Sequence, residues 1–361
     1  MTTSKICVYA IAKDEIGFAD RWMDSMSEAD GVYVLDTGST DGTADKLRSR
    51  GAHVETEIIS PWRFDEARNR SLALVPEDAD LCICTDLDEV FHPGWRQGFE
   101  AALAGGAERV RYRYTWSFLP DGSEGVVFWS DKAHSRRGWR WINPVHEVLQ
   151  YFGDASYKTA VAAGVQLDHH PDPLKSRGQY LPLLELAVRE RPSDDRNMHY
   201  LGREFMFRGM WKKCEETLLR HLEMPTAVWR DERCASMRYL ARAVRAQGRE
   251  VEAELWLLRA IAEAPHLREP WLEASAYEAA QKRWSGSLFF AERALQIQNR
   301  SQTYINEAES WGARPYDLAA VAAYRLGDYE KALIYGREAL ALAPQDARLQ
   351  SNLVFYEQEV K

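Results

Sequence analysis

Asp86-Leu87-Asp88-Glu89 is the stretch of this sequence best suited to chemistry, because it follows the apolar run Leu81-Cys82-Ile83-Cys84. A short buried strand that ends in closely spaced carboxylates holds them rigidly at the mouth of a loop. Asp86 and Asp88 stand one residue apart and project from the same edge. Hard divalent cations such as Mg2+ or Mn2+ take oxygen ligands and usually share them with a substrate's phosphates. The pattern D-x-D alone is short, and a solvated strand end reads the same way. Its meaning depends on what the rest of the chain brings beside it.

The chain has 361 residues, too many for one ordinary core, so two domains are expected. Hydrophobic content of 45% with 28% charged residues marks a globular protein rather than a disordered one. The formal net charge of −9 argues against a general nucleic-acid or membrane coat, though a local basic groove stays open. Five cysteines without C-x2-C spacing read as buried, reduced thiols of a cytoplasmic protein. The first residues lack the apolar core of a signal peptide. No run approaches the length of a membrane span.

The first part of the chain alternates strands and helices. Ile6–Ile11 is a continuous apolar run, as expected for a parallel strand buried on both faces. Glu15–Met26 reads as a helix, Val32–Leu35 as a strand, and Asp36–Thr43 as a turn that caps a helix over Ala44–Arg50. Val54–Ile59 reads as a third strand, Phe64–Leu74 as a helix, and residues 81–85 as the fourth strand. This order predicts an α/β, Rossmann-like, mostly parallel sheet, which binds ligands beyond the carboxyl ends of its strands. The polar clusters at 13–15, 36–41 and 86–89 all fall at those ends.

Beyond this the pattern turns helical and repeats. Gly209, Gly248 and Gly327 each precede by five residues a small residue that opens a helix: Cys214, Ala253 and Ala332. Lys282–Ser287 is a degenerate fourth copy. The small residues 214, 253, 287 and 332 are 39, 34 and 45 apart, and small residues let paired helices approach closely. Ala332–Pro344 closely resembles a tetratricopeptide (TPR) repeat, with Pro344 ending the helix. We read 1–178 as the α/β domain and 179–361 as an all-α TPR-like array, whose aromatic and Leu stripes are inter-helix core.

Taken together, the motifs resemble family-2 glycosyltransferases of the GT-A fold, most of all the bacterial and phage group with C-terminal TPR repeats that includes the peptide S-glycosyltransferases. The resemblance rests on Lys13-Asp14-Glu15, Asp36–Thr43, Phe64-Asp65-Glu66-Ala67-Arg68-Asn69, Asp86–Glu89, Val145-His146-Glu147, and the His169-His170 step followed by the basic Lys175-Ser176-Arg177. It covers nearly the whole chain. It implies a nucleoside-diphosphate sugar donor, most often a UDP-sugar, and Mn2+ or Mg2+ to neutralise the diphosphate leaving group.

On that resemblance Asp88 is the direct metal ligand and Asp86 holds the ribose or a metal-bound water. His170 is the better match to the family's late histidine, with His169 its rival. Asp36 accepts from the nucleoside, or only shapes the turn before Gly38. Thr40 and Asp41 read as a helix cap. Ala10, Lys13 and Glu15 line the first strand's exit and face the base. Arg68 and Asn69 face the nucleotide; the plain alternative pairs Arg68 with Asp65 or Glu66. Glu147 is the catalytic base of an inverting transfer, at the start of the acceptor-side helix, unless it merely pairs with Arg136, Arg137 or Arg140. Glu89 is the second choice. Asn143-Pro144-Val145 departs from the glycine-rich approach usual in the family.

The acceptor is open. Arg109, Arg111 and Arg113 should face one way in a strand, and Tyr112, Tyr114, Trp116 and Phe118 the other. With Lys132, Arg136, Arg137 and Arg140, this region could form a cleft for a peptide, a glycan or a modified DNA base, or be an ordinary half-solvated sheet edge. The helical array could bind a protein partner or mediate dimerisation. The competing expectation is a catalytically inactive TPR scaffold that keeps a vestigial transferase domain.

Overall fold

The computed structural model describes residues 4–119, 121–172 and 178–360. The chain forms two compact units, 1–187 and 188–361. The first is α/β and the second all-α, the fold class expected from the sequence.

In the first unit the elements run β1 (Ile6–Ala12), α1 (Ile16–Ser25), β2 (Gly31–Asp36), α2 (Thr43–Ser49), β3 (His53–Thr56), α3 (Phe64–Ala73) and β4 (Leu81–Cys84). There follow β5 (Glu89–Phe91), α4 (Trp95–Ala104), β6 (Arg109–Thr115), β7 (Val127–His134), β8 (Trp139–Ile142), β9 (Val148–Tyr151) and β10 (Thr159–His169). Eight strands form one sheet in the order β3-β2-β1-β4-β7-β6-β10-β5, and β8 pairs only with β9. β1, β2, β3 and β4 are mutually parallel, as are β6 and β10; β7 and β5 enter antiparallel. The expected alternation therefore holds through β4, and the sheet is mixed beyond it.

β1 is buried at every position, because helices cover one face of the sheet while α3 and the β8–β9 hairpin cover the other. Trp22, Leu47, Trp95 and Phe99 fill the first face. Cys7, Cys82, Cys84, Leu72, Trp139 and Trp141 fill the second. All five cysteines are free and buried. Three expectations need correcting. The third strand stops at Thr56 rather than reaching Ile59. Lys132, Arg136, Arg137 and Arg140 do not form one cleft segment: Lys132 lies inside β7 and Arg140 inside β8. The eleven-residue β10 was not anticipated, because Gly164 and the alanines hide its alternation.

α5 (Tyr180–Glu190) spans the boundary between the units. In the second unit α6 (Asp195–Phe207) pairs with α7 (Trp211–Glu223), α8 (Arg230–Ala246) with α9 (Glu250–Glu263), and α10 (Arg268–Ala280) with α11 (Trp284–Gln296). α12 (Arg314–Arg325) pairs with α13 (Tyr329–Leu342), and α14 (Ala347–Glu359) packs on α13. α6, α8, α10 and α12 also adjoin one another in series. Cys214, Ala253, Ser287 and Ala332 are all buried at the helix-pair contacts, as their spacing implied. Gly209, Gly248 and Gly327 turn the chain at positive φ, and Lys282 does so in the degenerate copy at φ 58°. Among the described residues no helix is long and apolar enough to cross a membrane.

Candidate functional site

The loops after β1 and β2 are clasped together by their own polar side chains. Asp41 Oδ2 accepts from Ile16 N at 3.0 Å, so it caps α1 rather than only its own helix. Thr43 Oγ1 accepts from Glu15 N at 2.8 Å, and Asp14 Oδ1 accepts from Thr40 N at 2.7 Å. These bonds satisfy helix N-termini that would otherwise lack partners. They leave Thr40 and Asp41 structural. Asp36 ends β2 with Oδ1 accepting from Gly38 N and Ser39 N at 3.1 and 3.0 Å. Its Oδ2 is buried without a hydrogen-bond partner among the described residues. A buried carboxylate oxygen left unpaired costs of the order of 1–3 kcal/mol, which a bound donor would relieve.

A buried arginine organises the end of β4. Arg68 projects from α3 with only 5% of its surface exposed. Its Nη2 donates to Asp86 Oδ1 at 2.9 Å and Oδ2 at 3.2 Å, its Nη1 meets Cys84 Sγ at 3.1 Å, and its Nε donates to Glu147 Oε1. Trp141 lies under the guanidinium, 5.3 Å away. Burial works against the charge, and the carboxylates of Asp86 and Glu147 more than restore it, so the Arg68 pKa stays well above the ordinary value. The expected partners Asp65 and Glu66 are taken by Arg63 and Arg70 instead.

Beside it, Lys132 of β7 lies 2.8 Å from Glu89 Oε1 and 3.4 Å from Asp86 Oδ2. Glu89 is 1% exposed; it also accepts from Tyr114 Oη at 2.7 Å and from Asp86 N at 2.9 Å. These contacts of Glu89 brace the loop, which argues against it as a base. Asp86 is oriented by two cations.

β5 then pairs antiparallel with β10, with His169 opposite Glu89. This register brings His169 Nε2 to 3.4 Å from Asp88 Oδ2. Its Nδ1 lies 2.9 Å from the Trp116 carbonyl oxygen, which accepts only if Nδ1 carries the proton. Nε2 is thereby turned toward Asp88, the arrangement in which second-sphere bonds prepare a histidine for a cation. Burial works to lower the His169 pKa; the Asp88 carboxylate and the Trp116 carbonyl outweigh it, and the pKa is raised. The indole of Trp116 stacks on His169 at 4.4 Å.

The expected residues therefore separate into two groups. Asp86, Asp88, Arg68 and Glu147 converge beyond the carboxyl end of β4, and Asp36, the exposed Lys13 and the buried Glu15 lie at the ends of β2 and β1. Three of the expected residues lie in other surroundings. His170 was preferred over His169, but its ring stacks on Phe118 at 5.4 Å, and the contact it is shown to make with Asp88 is from its backbone N to Asp88 O at 2.8 Å. His169 is the last residue of β10 and turns its ring toward that carboxylate, whereas His170 lies beyond the strand. Asn69 uses its whole amide on Trp141, Nδ2 to the carbonyl at 2.8 Å and Oδ1 from the N–H at 2.9 Å, and so pins β8 to α3. Ala10 is fully buried in the sheet core.

Glu147 lies in the β8–β9 connection, not at a helix start. Asn143 and His146 there adopt φ of 78° and 49°, the left-handed region that the missing glycines would have entered freely. Most of the basic residues flanking this region are neutralised. Arg109 pairs with Asp131 at 2.7 Å, Arg113 with Glu124, and Arg136 with Glu77 at 3.0 Å. Tyr112 and Tyr114 are buried, whereas Trp116 and Phe118 are exposed. Lys132, expected among the basic residues of the acceptor region, instead joins Asp86 and Glu89, a pairing that sequence distance conceals. Lys175-Ser176-Arg177 lies outside the described residues.

No curated protein matches the chain. Among solved structures, MamA is 16% identical and is covered over 83% of its own length against 46% of this chain, with a TM-score of 0.36. A thermophilic TPR protein of Thermus thermophilus is 18% identical over 50% of this chain and 88% of its own, with a TM-score of 0.35. Glucosyl-3-phosphoglycerate synthase from Mycobacterium tuberculosis, solved with Mg2+ and uridine diphosphate, is 28% identical over 31% of this chain, with a TM-score of 0.27. This chain spans 44% of that enzyme's length. Residues 313–346, covering α12, α13 and the turn after them, match the tetratricopeptide repeat, so the helical half of this chain carries a repeat of that family.

Proposed function

We propose that residues 1–178 form a metal-dependent, inverting glycosyltransferase domain that takes its sugar from a nucleoside-diphosphate donor, a UDP-sugar first among them. The observation that carries the reading is Asp88 facing a prepared His169 where β4 and β10 end, with Asp86 held beside them by Arg68 and Lys132. One carboxylate and one imidazole leave most of a cation's positions to water and phosphate oxygens, which suits Mg2+ or Mn2+ shared with a diphosphate. Such a cation supplies neutralisation of the charge that builds on the leaving diphosphate.

The remaining work belongs to the chain's own groups. The unpartnered Oδ2 of Asp36 accepts from the nucleoside, and Lys13 and Glu15 flank it. Arg68 orients Asp86 and Glu147 together. Oε1 of Glu147 is held by Arg68, and Oε2 makes no hydrogen bond among the described residues. That free oxygen takes the acceptor's proton as the acceptor atom bonds to the sugar's anomeric carbon and the bond to the diphosphate breaks on the opposite side. The acceptor is a peptide, a glycan or a modified base. The helical half presents it or binds a protein partner.

Calorimetry with UDP, GDP, dTDP and CMP, each with and without Mn2+, tests this on the wild type and Asp88→Ala. Micromolar binding of one nucleotide that needs the cation and is lost in the variant supports the reading. Absence of binding to the wild type under every condition overturns it and leaves the TPR scaffold.

A further inference from the structure

The last interval between small helix-contact residues is 45, eleven more than the 34 before it. The extra chain joins α11 to α12 over residues 297–313, where 2–8 residues would suffice for a helix connection. It folds back onto the face formed by α6, α8 and α10. Tyr304 lies 5.7 Å from Tyr200, 5.5 Å from Trp229 and 5.3 Å from the Arg196 guanidinium, and its hydroxyl donates to Glu232. Three residues later Glu307 pairs with Arg238 at 2.7 Å and Arg242 at 3.5 Å. Glu269 reads the same segment by accepting from Glu307 N at 3.1 Å and Trp311 Nε1 at 3.3 Å.

The fit is incomplete. Glu269 is 2% exposed, yet its Oε2 has no hydrogen-bond partner among the described residues, and the buried hydroxyls of Ser301 and Thr303 have none either. The segment contains no regular element beyond one 3-10 turn, Ala308–Trp311; Ile305 and Asn306 are buried, and Arg268 holds its end through the Ser310 carbonyl and the Trp311 ring. The groove beneath is built more firmly: Arg238 is 1% exposed and shares Glu273 with Arg242, which leaves both cations calling for a second carboxylate.

We propose that this face is a peptide-binding groove closed by the chain's own residues 299–311, and that its partner is a polypeptide segment with an aromatic residue followed three positions later by a carboxylate. The aromatic ring replaces Tyr304 between Tyr200, Trp229 and Arg196. The carboxylate replaces Glu307 on Arg238 and Arg242, and a donor on the incoming segment satisfies Glu269 Oε2. The tethered segment competes at an effective concentration near millimolar, so a partner binds weakly until the segment is released.

Fluorescence anisotropy with a labelled synthetic peptide of residues 299–311 tests this on the full chain. The peptide should bind Tyr304→Ala/Glu307→Ala at least tenfold tighter than the wild type. Adding Arg242→Glu to that variant should abolish the gain, as should replacing the glutamate at position 307 of the peptide by lysine. Should the double variant lose cooperative unfolding, Glu307→Gln takes its place. Binding to neither protein, equal binding to both, or a gain that survives Arg242→Glu overturns the proposal.

Discussion

His169 Nε2 stands 3.4 Å from Asp88 Oδ2 because the antiparallel register of β5 and β10 sets these two strand ends side by side. Two histidines adjacent in sequence thus have different surroundings. His169→Ala should lower Mn2+-dependent nucleotide affinity at least tenfold, whereas His170→Ala should change it by less than threefold. Calorimetry on both variants checks this; the reverse ranking would return the role to His170.

Arg68 neutralises two carboxylates from inside the protein. Arg68→Ala should cost about 3–5 kcal/mol, since it leaves Glu147 and Asp86 without their shared cation. Arg68→Lys should also fail to restore activity, because one ammonium lacks the planar fork that reaches Asp86 and Glu147 at once. Urea denaturation and turnover, measured on the same preparations, separate the two effects.

Glu147→Gln keeps the shape of the side chain and removes its capacity to take a proton. Turnover should fall by about 10^2–10^4-fold while nucleotide affinity stays within threefold. An unchanged rate would show that Glu147 only completes the Arg68 network.

His134 is buried between Tyr9 Oη and the Ser135 carbonyl, and burial pushes its pKa down to about 3. Above the unfolded value near 6.5 both states are neutral and the contribution is complete. As the pH falls below 6.5, the unfolded chain takes up a proton that the folded protein refuses, and stability declines down to about pH 3. His199 in the helical half is likewise lowered to about 3 by burial. Between pH 7.5 and 5.5 each should cost about 1 kcal/mol, seen as lower melting temperatures in calorimetry. His134→Gln should narrow the difference for the first unit.

Lys282 occupies the repeat's glycine position at φ 58°. Lys282→Gly should stabilise the helical unit by about 1 kcal/mol, because the left-handed conformation strains any residue with a Cβ. Thermal melting reads this directly, and a drop in melting temperature would contradict it.

Much of this protein is legible one residue at a time. The apolar runs at 6–11 and 81–84 announce buried parallel strands, and the acids after them announce the crevice, because a strand end exposes whatever follows it. The glycine turns and the small residues 214, 253, 287 and 332 announce stacked helix pairs, because close approach admits nothing larger.

What the sequence could not decide was pairing across distance. His169 reaches the Asp86–Glu89 loop only through a β10 strand whose alternation is masked by Gly164 and three alanines. The choice between His169 and His170 follows from where β10 stops pairing with β5, and a register shift of one residue would change it. Arg68, Lys132 and Glu147 come from a helix, a strand and a hairpin connection, and only the packing of α3 against β8 brings Arg68 to Glu147. Charge sets which groups attract, but burial decides which of them must meet, since a cation in the interior needs its carboxylates within hydrogen-bonding reach.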